Sequence, residues 1–265
     1  MPDAIDLDHV ALATEDPDAA LGALVGALGA TVVEGGDGHG FRWVQARLGD
    51  GHDGMTVEVI TPTDPDEDDF LHRFVERHGE GQHHITFKVP DLRAVLDRAT
   101  AAGYHPVGVS FDDPEWCEAF LVPREAQGTV VQLAASQPPP PPWPERFATR
   151  VAEGTSRGRP RWWVDPAPTD APRAVLRRIV LRTTSITSAL GLWCGLLGGL
   201  PVDQGDDRIE LVWPGGRILL LEDPQARPGF ERLEVEVAGG GEPVRVRSEE
   251  HTSELQSHSF ISYAV

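Results

Sequence analysis

Asp8-His9-Val10-Ala11-Leu12-Ala13 and His83-His84-Ile85-Thr86-Phe87-Lys88-Val89 decide the fold, because the chain uses the same unit twice. Each stretch alternates polar and apolar side chains with the period of a strand. Each is followed by an aspartate and a helical pattern: Asp16 before Ala19, Ala20, Leu21 and Leu24, and Asp91 before Ala94, Val95, Leu96 and Ala99. Aspartate suits a helix N-cap because its carboxylate accepts the free amide donors of the first turn. Both helical patterns end near glycine, at Gly29 and Gly103, and strand-like segments follow. Phe41–Leu48 and Thr56–Thr61 close the first copy, and Glu118–Val122 and Thr129–Ala134 close the second. The expected architecture is therefore α+β, with paired βαβββ modules at about residues 5–62 and 81–135.

A third copy follows further along. Leu24–Val33 lies opposite Trp193–Val202 without a gap, and Arg178–Arg182, Ile209–Trp213 and Arg217–Glu222 supply its strands. Phe230–Val237 then reads as the first strand of a fourth copy. Between the second and third copies stands Gln137–Pro144 (QPPPPPWP), whose five consecutive prolines favour a stiff polyproline II spacer. The sequence stays rich in Pro, Arg and Trp, and aperiodic, to about Pro172. Trp143, Trp162 and Trp163 would be odd in a free linker, so some of them are expected to pack as a strap on a neighbouring surface. Arg247–Ser257 (RSEEHTSELQS) resembles the translation of a sequencing-library adapter. The expected organisation is a two-module domain at 1–136, a linker at 137–172, a truncated relative of it at 173–246, and an artefactual tail at 247–265.

Four polar side chains recur at equivalent places in the first two modules. His9 and His84 are 75 residues apart, and Glu58 and Gln132 are 74 apart. Glu58 in Thr-Val-Glu-Val-Ile and Gln132 in Thr-Val-Val-Gln-Leu each interrupt an apolar strand, where an unpaired polar group is costly to bury. Singly, a strand histidine is usually a solvated or satisfied residue, and a strand glutamate usually faces water. Jointly they say more. If two modules pack about a pseudo-twofold axis, equivalent strand positions converge on one cup lined by two imidazoles, a carboxylate and an amide oxygen. Such a set suits a divalent ion with open positions.

His9 in DHVALAT, Glu58 in VEVITP, His84 in GQHHITFKVPDL and Gln132 in GTVVQL resemble the ligand positions of the vicinal oxygen chelate superfamily. Within that superfamily the segments look most like methylmalonyl-CoA epimerases and glyoxalase-like proteins, over about residues 5–135. The resemblance implies a cupped sheet around a divalent ion (Zn, Co, Ni, Mn or Fe) that binds adjacent substrate oxygens and stabilises a developing anion. It implies His9, Glu58, His84 and Gln132 as ligands, and proton transfer beside a carbonyl in a small carboxylate or thioester substrate. Epimerases and glyoxalases of this type usually carry Glu where this chain has Gln132, and an amide cannot act as a base near neutral pH. Glu58 is then the expected base as well as a ligand, with Glu118 a second catalytic candidate whose alternative is a solvent-facing strand residue. Two histidines and a glutamate also suit an iron(II) dioxygenase of the same fold. A ligand-sequestering protein like the bleomycin-resistance members is a third alternative.

The third copy lacks the set, since Arg178 stands at the position of His9, Leu220 at that of Glu58, and Arg232 at that of His84. This region is expected to be either a structural partner or an anion-binding cup whose second half is missing, with Arg178 and Arg232 read as surface charges in preference to anion ligands. The histidines at 39, 52, 72, 78 and 105 show no ligand spacing and are assigned no role.

Composition narrows the partners. Forty-two acidic against 23 basic side chains give a formal charge of −19, a field that repels nucleic acid and anionic lipid. Two cysteines exclude a disulfide framework and a paired-cysteine metal knuckle. The first 20 residues carry no basic segment of a secretory signal, and no apolar run is long enough to span a bilayer. The expectation is a cytoplasmic protein acting on a small molecule, with room for a homo-oligomer.

Overall fold

A computed structural model describes residues 4–38, 40–63, 70–153, 173–237 and 244–246. The expected tail at 247–265 lies outside the described residues, as do Trp162 and Trp163.

The first module runs β1 (Asp6–Ala13), α1 (Pro17–Leu21) with a π-helical turn at Gly22–Ala27, β2 (Thr31–Asp37), β3 (Phe41–Gly49) and β4 (Gly54–Pro62). The second runs β5 (Gly81–Lys88), α3 (Leu92–Ala101), β6 (Val107–Ser110), β7 (Cys117–Leu121) and β8 (Val130–Ala135). A helix that the sequence pattern did not announce, α2 (Phe70–His78), joins them. Their strands form one eight-stranded sheet in the order β2-β3-β4-β1-β5-β8-β7-β6.

The third module has β9 (Ala174–Thr183), α5 (Ile186–Leu190) with a π-helical turn at Gly191–Leu196, β10 (Leu200–Gln204), β11 (Arg208–Trp213) and β12 (Gly216–Glu222). With β13 (Gly229–Val237) and β14 (Val244–Val246) it forms a six-stranded sheet in the order β10-β11-β12-β9-β13-β14. The opening strand of a module pairs in parallel with its closing strand, β5 with β8 and β9 with β12. The fold is thus α+β and built from βαβββ units, with a second, related sheet.

Asp16, Asp91 and Ser185 each accept a hydrogen bond from the backbone N–H three residues on, which caps the three helix starts alike. The helices then diverge for a reason visible in their sequences. Glycines at 22 and 26, and again at 191 and 195, sit inside the first and third helices and weaken the α form. There the chain widens into π turns, with Leu28 N–H reaching Ala23 O at 3.0 Å and Leu197 N–H reaching Leu192 O at 3.0 Å. α3, which has no internal glycine, stays regular.

Contacts group the chain into two compact units. One comprises residues 1–9, 84–141 and 178–231. In its core the Phe87 ring meets Trp213 at 5.3 Å and Trp193 at 6.2 Å, and Trp213 Nε1 donates to Leu197 O at 2.7 Å. Gly128, at φ 84°, lies so close to the backbone of Pro228 that an added Cβ would stand 2.0 Å from its carbonyl oxygen.

The other unit comprises residues 10–83, 142–177 and 232–265. Leu71 and Val75 of α2 pack on Ala11, Ala13 and Ile60, with Phe41, Trp43 and Phe74 around them. The segment expected to be an aperiodic linker forms a helix here, α4 (Trp143–Glu153). Pro144 suits a first turn, whose N–H groups need no helical acceptor. Trp143 is buried, with the guanidinium groups of Arg47 and Arg146 at 4.6 Å and 3.9 Å from its ring centroid. Of the three tryptophans expected in the strap, Trp143 packs against a neighbouring element and the other two are not described.

No described helix is long and apolar enough to cross a membrane.

Candidate metal centre

Strand alternation puts His9 on the same face of β1 as Ala11 and Ala13, and Glu58 on the same face of β4 as Ile60. One ligand atom each from His9, Glu58 and His84 lies within 4.8 Å of the other two, and all three residues are buried. The rings of His9 and His84 meet edge to face, with centroids 5.8 Å apart. Two imidazoles and a carboxylate at that spacing fit a divalent cation of the borderline class.

Hydrogen bonds hold these side chains in place. Asp8 Oδ2 lies 2.8 Å from His9 Nδ1, and both residues are buried. The bond fixes the ring through one nitrogen and turns the other, Nε2, to the opposite side, as carboxylates do behind metal-binding histidines. Gln45 stands directly opposite Glu58 on β3 and donates from Nε2 to Glu58 Oε1 at 3.1 Å. Gln132 enters through Thr86. Parallel pairing sets Thr86 beside Gln132, the Thr86 hydroxyl donates to Gln132 Oε1 at 2.6 Å, and the same hydroxyl meets His9 Nε2 at 2.9 Å. Glu118 lies beyond, accepting from Gln132 Nε2 at 2.7 Å and from Trp116 Nε1 at 2.9 Å. It is half-buried, and faces that pair instead of solvent.

His83 takes no part in the ligand group. Its ring is wedged against Phe74, at 4.5 Å between centroids, and Phe70, at 5.7 Å. Burial pushes its pKa down to about 4, with the Glu58 carboxylate pulling partly the other way and the His78 charge adding to the fall.

Asp8, Gln45 and Thr86 were not singled out from the sequence. Gln45 carried a signal, since it interrupts the apolar run of β3 as Glu58 interrupts β4. Thr86 carried a weaker one, standing two residues after His84 on the same strand face. Asp8, adjacent to a histidine, had no signal of its own.

The arginines at equivalent positions correct one expectation. Arg232 is not a surface charge. It is 8 % exposed and donates to Glu234 Oε1 from Nε at 3.0 Å and from Nη2 at 2.6 Å. Glu234 stands where Thr86 stands in the second module, so this position holds an internal ion pair instead of cation ligands. Arg178 is half-buried, with Nη1 3.7 Å from Glu210.

Residues 8–120 match the family model described as "Glyoxalase/Bleomycin resistance protein/Dioxygenase superfamily". No curated protein matches the chain by sequence. Among solved structures, a mutant 4-hydroxymandelate synthase from Streptomyces coelicolor is similar at 19 % identity and TM-score 0.55, over 88 % of this chain and 71 % of that one. This likeness is one of fold. Methylmalonyl-CoA epimerase from Mycobacterium tuberculosis matches at 22 % identity and TM-score 0.43, over 49 % of this chain and 87 % of that one. A hypothetical protein from Bacillus halodurans matches at 22 % identity and TM-score 0.43, over 50 % of this chain and 94 % of that one.

Proposed function

We propose that this protein is a divalent-metal-dependent enzyme of the glyoxalase/epimerase type, acting on a small carbonyl, carboxylate or thioester substrate through two neighbouring oxygens. The observation that carries the reading is the convergence of His9, Glu58 and His84 within 4.8 Å, with Gln132 tied to His9 through one hydroxyl. These four residues would hold the ion. The ion would supply Lewis acidity to the paired oxygens of the substrate.

Proton transfer falls to Glu58. Gln45 donates to one of its oxygens, which fixes the plane of the carboxylate and biases the other oxygen toward the exchange. Glu118 reaches the group only through the amide of Gln132, which is why the proton-transfer role is placed on Glu58. The test is the purified full-length chain loaded with each of Zn, Co, Ni, Mn and Fe. It is assayed for solvent-deuterium exchange beside the carbonyl of 2-methyl-branched acyl thioesters and of 2-oxo acids. Exchange that needs the metal and is lost in Glu58→Gln supports the reading, whereas full activity in a Glu58→Gln protein that retains metal removes Glu58 as the base.

The two-histidine, one-carboxylate group also suits iron(II), which keeps a dioxygenase as the second reading. Oxygen uptake by the iron-loaded protein with a catechol or a 2-oxo acid separates the two. A chain that binds ligand without turnover of either kind is the sequestering alternative.

A further inference from the structure

A glutamine amide offers a cation either its oxygen, which binds, or its NH2 group, which repels. At Gln132 the choice is made by neighbours. Antiparallel pairing sets Phe120 opposite Gln132 and Glu118 opposite Ala134, so Glu118 is the diagonal neighbour of Gln132 on one sheet face. From there Glu118 Oε2 accepts from Gln132 Nε2 at 2.7 Å and from Trp116 Nε1 at 2.9 Å. A carboxylate oxygen that takes two N–H donors is an acceptor, so the nitrogen end of the amide must face it. The oxygen end is thereby turned the other way, to the Thr86 hydroxyl at 2.6 Å, and that hydroxyl also meets His9 Nε2.

The geometry points to Glu118 as a positioning residue that locks the amide of Gln132 with its oxygen toward His9, and so lets a neutral side chain serve as a cation ligand. Glu118 is itself anchored. Lys88 Nζ lies 3.5 Å from the centroid of the Trp116 ring, whose N–H donates to Glu118, and Lys88 in turn donates to Ser136 Oγ at 2.7 Å. Gln132 is buried, so a flipped amide would leave its oxygen against the Glu118 carboxylate, acceptor facing acceptor, with that N–H bond lost. Glu118 therefore acts through Gln132 and does not exchange a proton with substrate. Outer partners of this kind commonly change metal affinity by about 10- to 100-fold.

The inference rests on the metal-binding reading above, and its test separates the two. Metal affinity of the full-length protein is measured by competition with a chromophoric chelator, using zinc as the probe. Glu118→Ala should weaken binding by about 10-fold. Glu118→Gln should stay within about 3-fold of the parent, because its carbonyl oxygen can still accept both N–H groups. The Glu118→Ala penalty should vanish in a Gln132→Ala background. A penalty of equal size in that background, or an equal loss in Glu118→Gln and Glu118→Ala, overturns the inference. Absence of zinc binding by the parent protein would sink the metal reading alone. The positioning claim is then read from the Gln132 side-chain NH2 signals in a 15N spectrum, assigned by their loss in Gln132→Ala. They should move in Glu118→Ala and hold in Glu118→Gln, and signals that do not move in Glu118→Ala overturn it.

Discussion

The hydroxyl of Thr86 donates to Gln132 Oε1 at 2.6 Å while its oxygen meets His9 Nε2 at 2.9 Å, so one buried side chain joins residues of three strands. Replacing it by valine keeps the shape and removes both contacts. Thr86→Val should lower stability by about 1–3 kcal/mol in the presence of chelator, since two buried polar atoms lose a partner. Chemical denaturation with a parallel Thr86→Ser control, which keeps the hydroxyl, checks this. An unchanged midpoint in Thr86→Val would show that the link contributes nothing.

The His83 ring, packed against Phe70 and Phe74, sets a pH dependence. Its pKa falls from 6.5 to about 4 because burial disfavours the charged form. In the unfolded chain the same ring takes a proton near pH 6.5, so between pH 6.5 and about 4 the unfolded state binds the extra proton. The stability associated with the neutral, half-buried ring is fully present above that window and is lost as pH falls through it. The shift corresponds to about 3 kcal/mol at most. A His83→Phe variant should show a flatter loss of stability from pH 6.5 to 4 than the parent, measured by urea denaturation in chelator. Parallel curves would contradict the assignment.

Trp143 ties α4 to the β3–β4 hairpin. It is buried against Arg47, whose guanidinium is held by Asp50 O at 2.6 Å, Gly54 O at 3.0 Å and Thr56 Oγ1 at 3.3 Å. Trp143→Ala should destabilise by about 3 kcal/mol, in the range for emptying a large aromatic site. Trp143→Phe should recover most of that. Thermal unfolding of the three proteins is the measurement.

Gly128 stands at φ 84°, where an added Cβ would meet the Pro228 carbonyl oxygen at 2.0 Å. Gly128→Ala should therefore lower the melting temperature by several degrees, more than the about 1 kcal/mol of an ordinary positive-φ glycine replacement. A neutral result would mean that the backbone at Pro228 gives way without cost.

Much of this was legible in the residues. The repeated strand–aspartate–helix pattern revealed the βαβββ unit, and the ungapped match of Leu24–Val33 to Trp193–Val202 foreshadowed even the shared π turns, which fall at Gly22–Ala27 and Gly191–Leu196. Period alone could not tell a π turn from an α turn, because both present one apolar face. Helix α2 was missed because Phe70–His78 is short and follows an acidic, proline-bearing stretch that reads as loop. Helix α4 was hidden by its prolines, although a proline at the first turn permits a helix. The recurrence of His9, Glu58, His84 and Gln132 singled out side chains that the fold brings into one connected group. Thr86 and Gln45 became visible only through register, since their importance lies in which residue stands across from them. Arg232 looked like a surface charge because an arginine is rarely buried without a partner, and that partner, Glu234, lies on the same strand face two residues on.

The most direct test of the central claim is elemental analysis of the full-length protein, purified without chelator and then equilibrated with a divalent metal mixture, beside His9→Ala and His84→Ala. The account predicts close to one metal ion per chain in the parent and a large loss in both variants, with all three proteins folded by circular dichroism. A parent protein that retains no metal, or variants that retain as much as the parent, would contradict it.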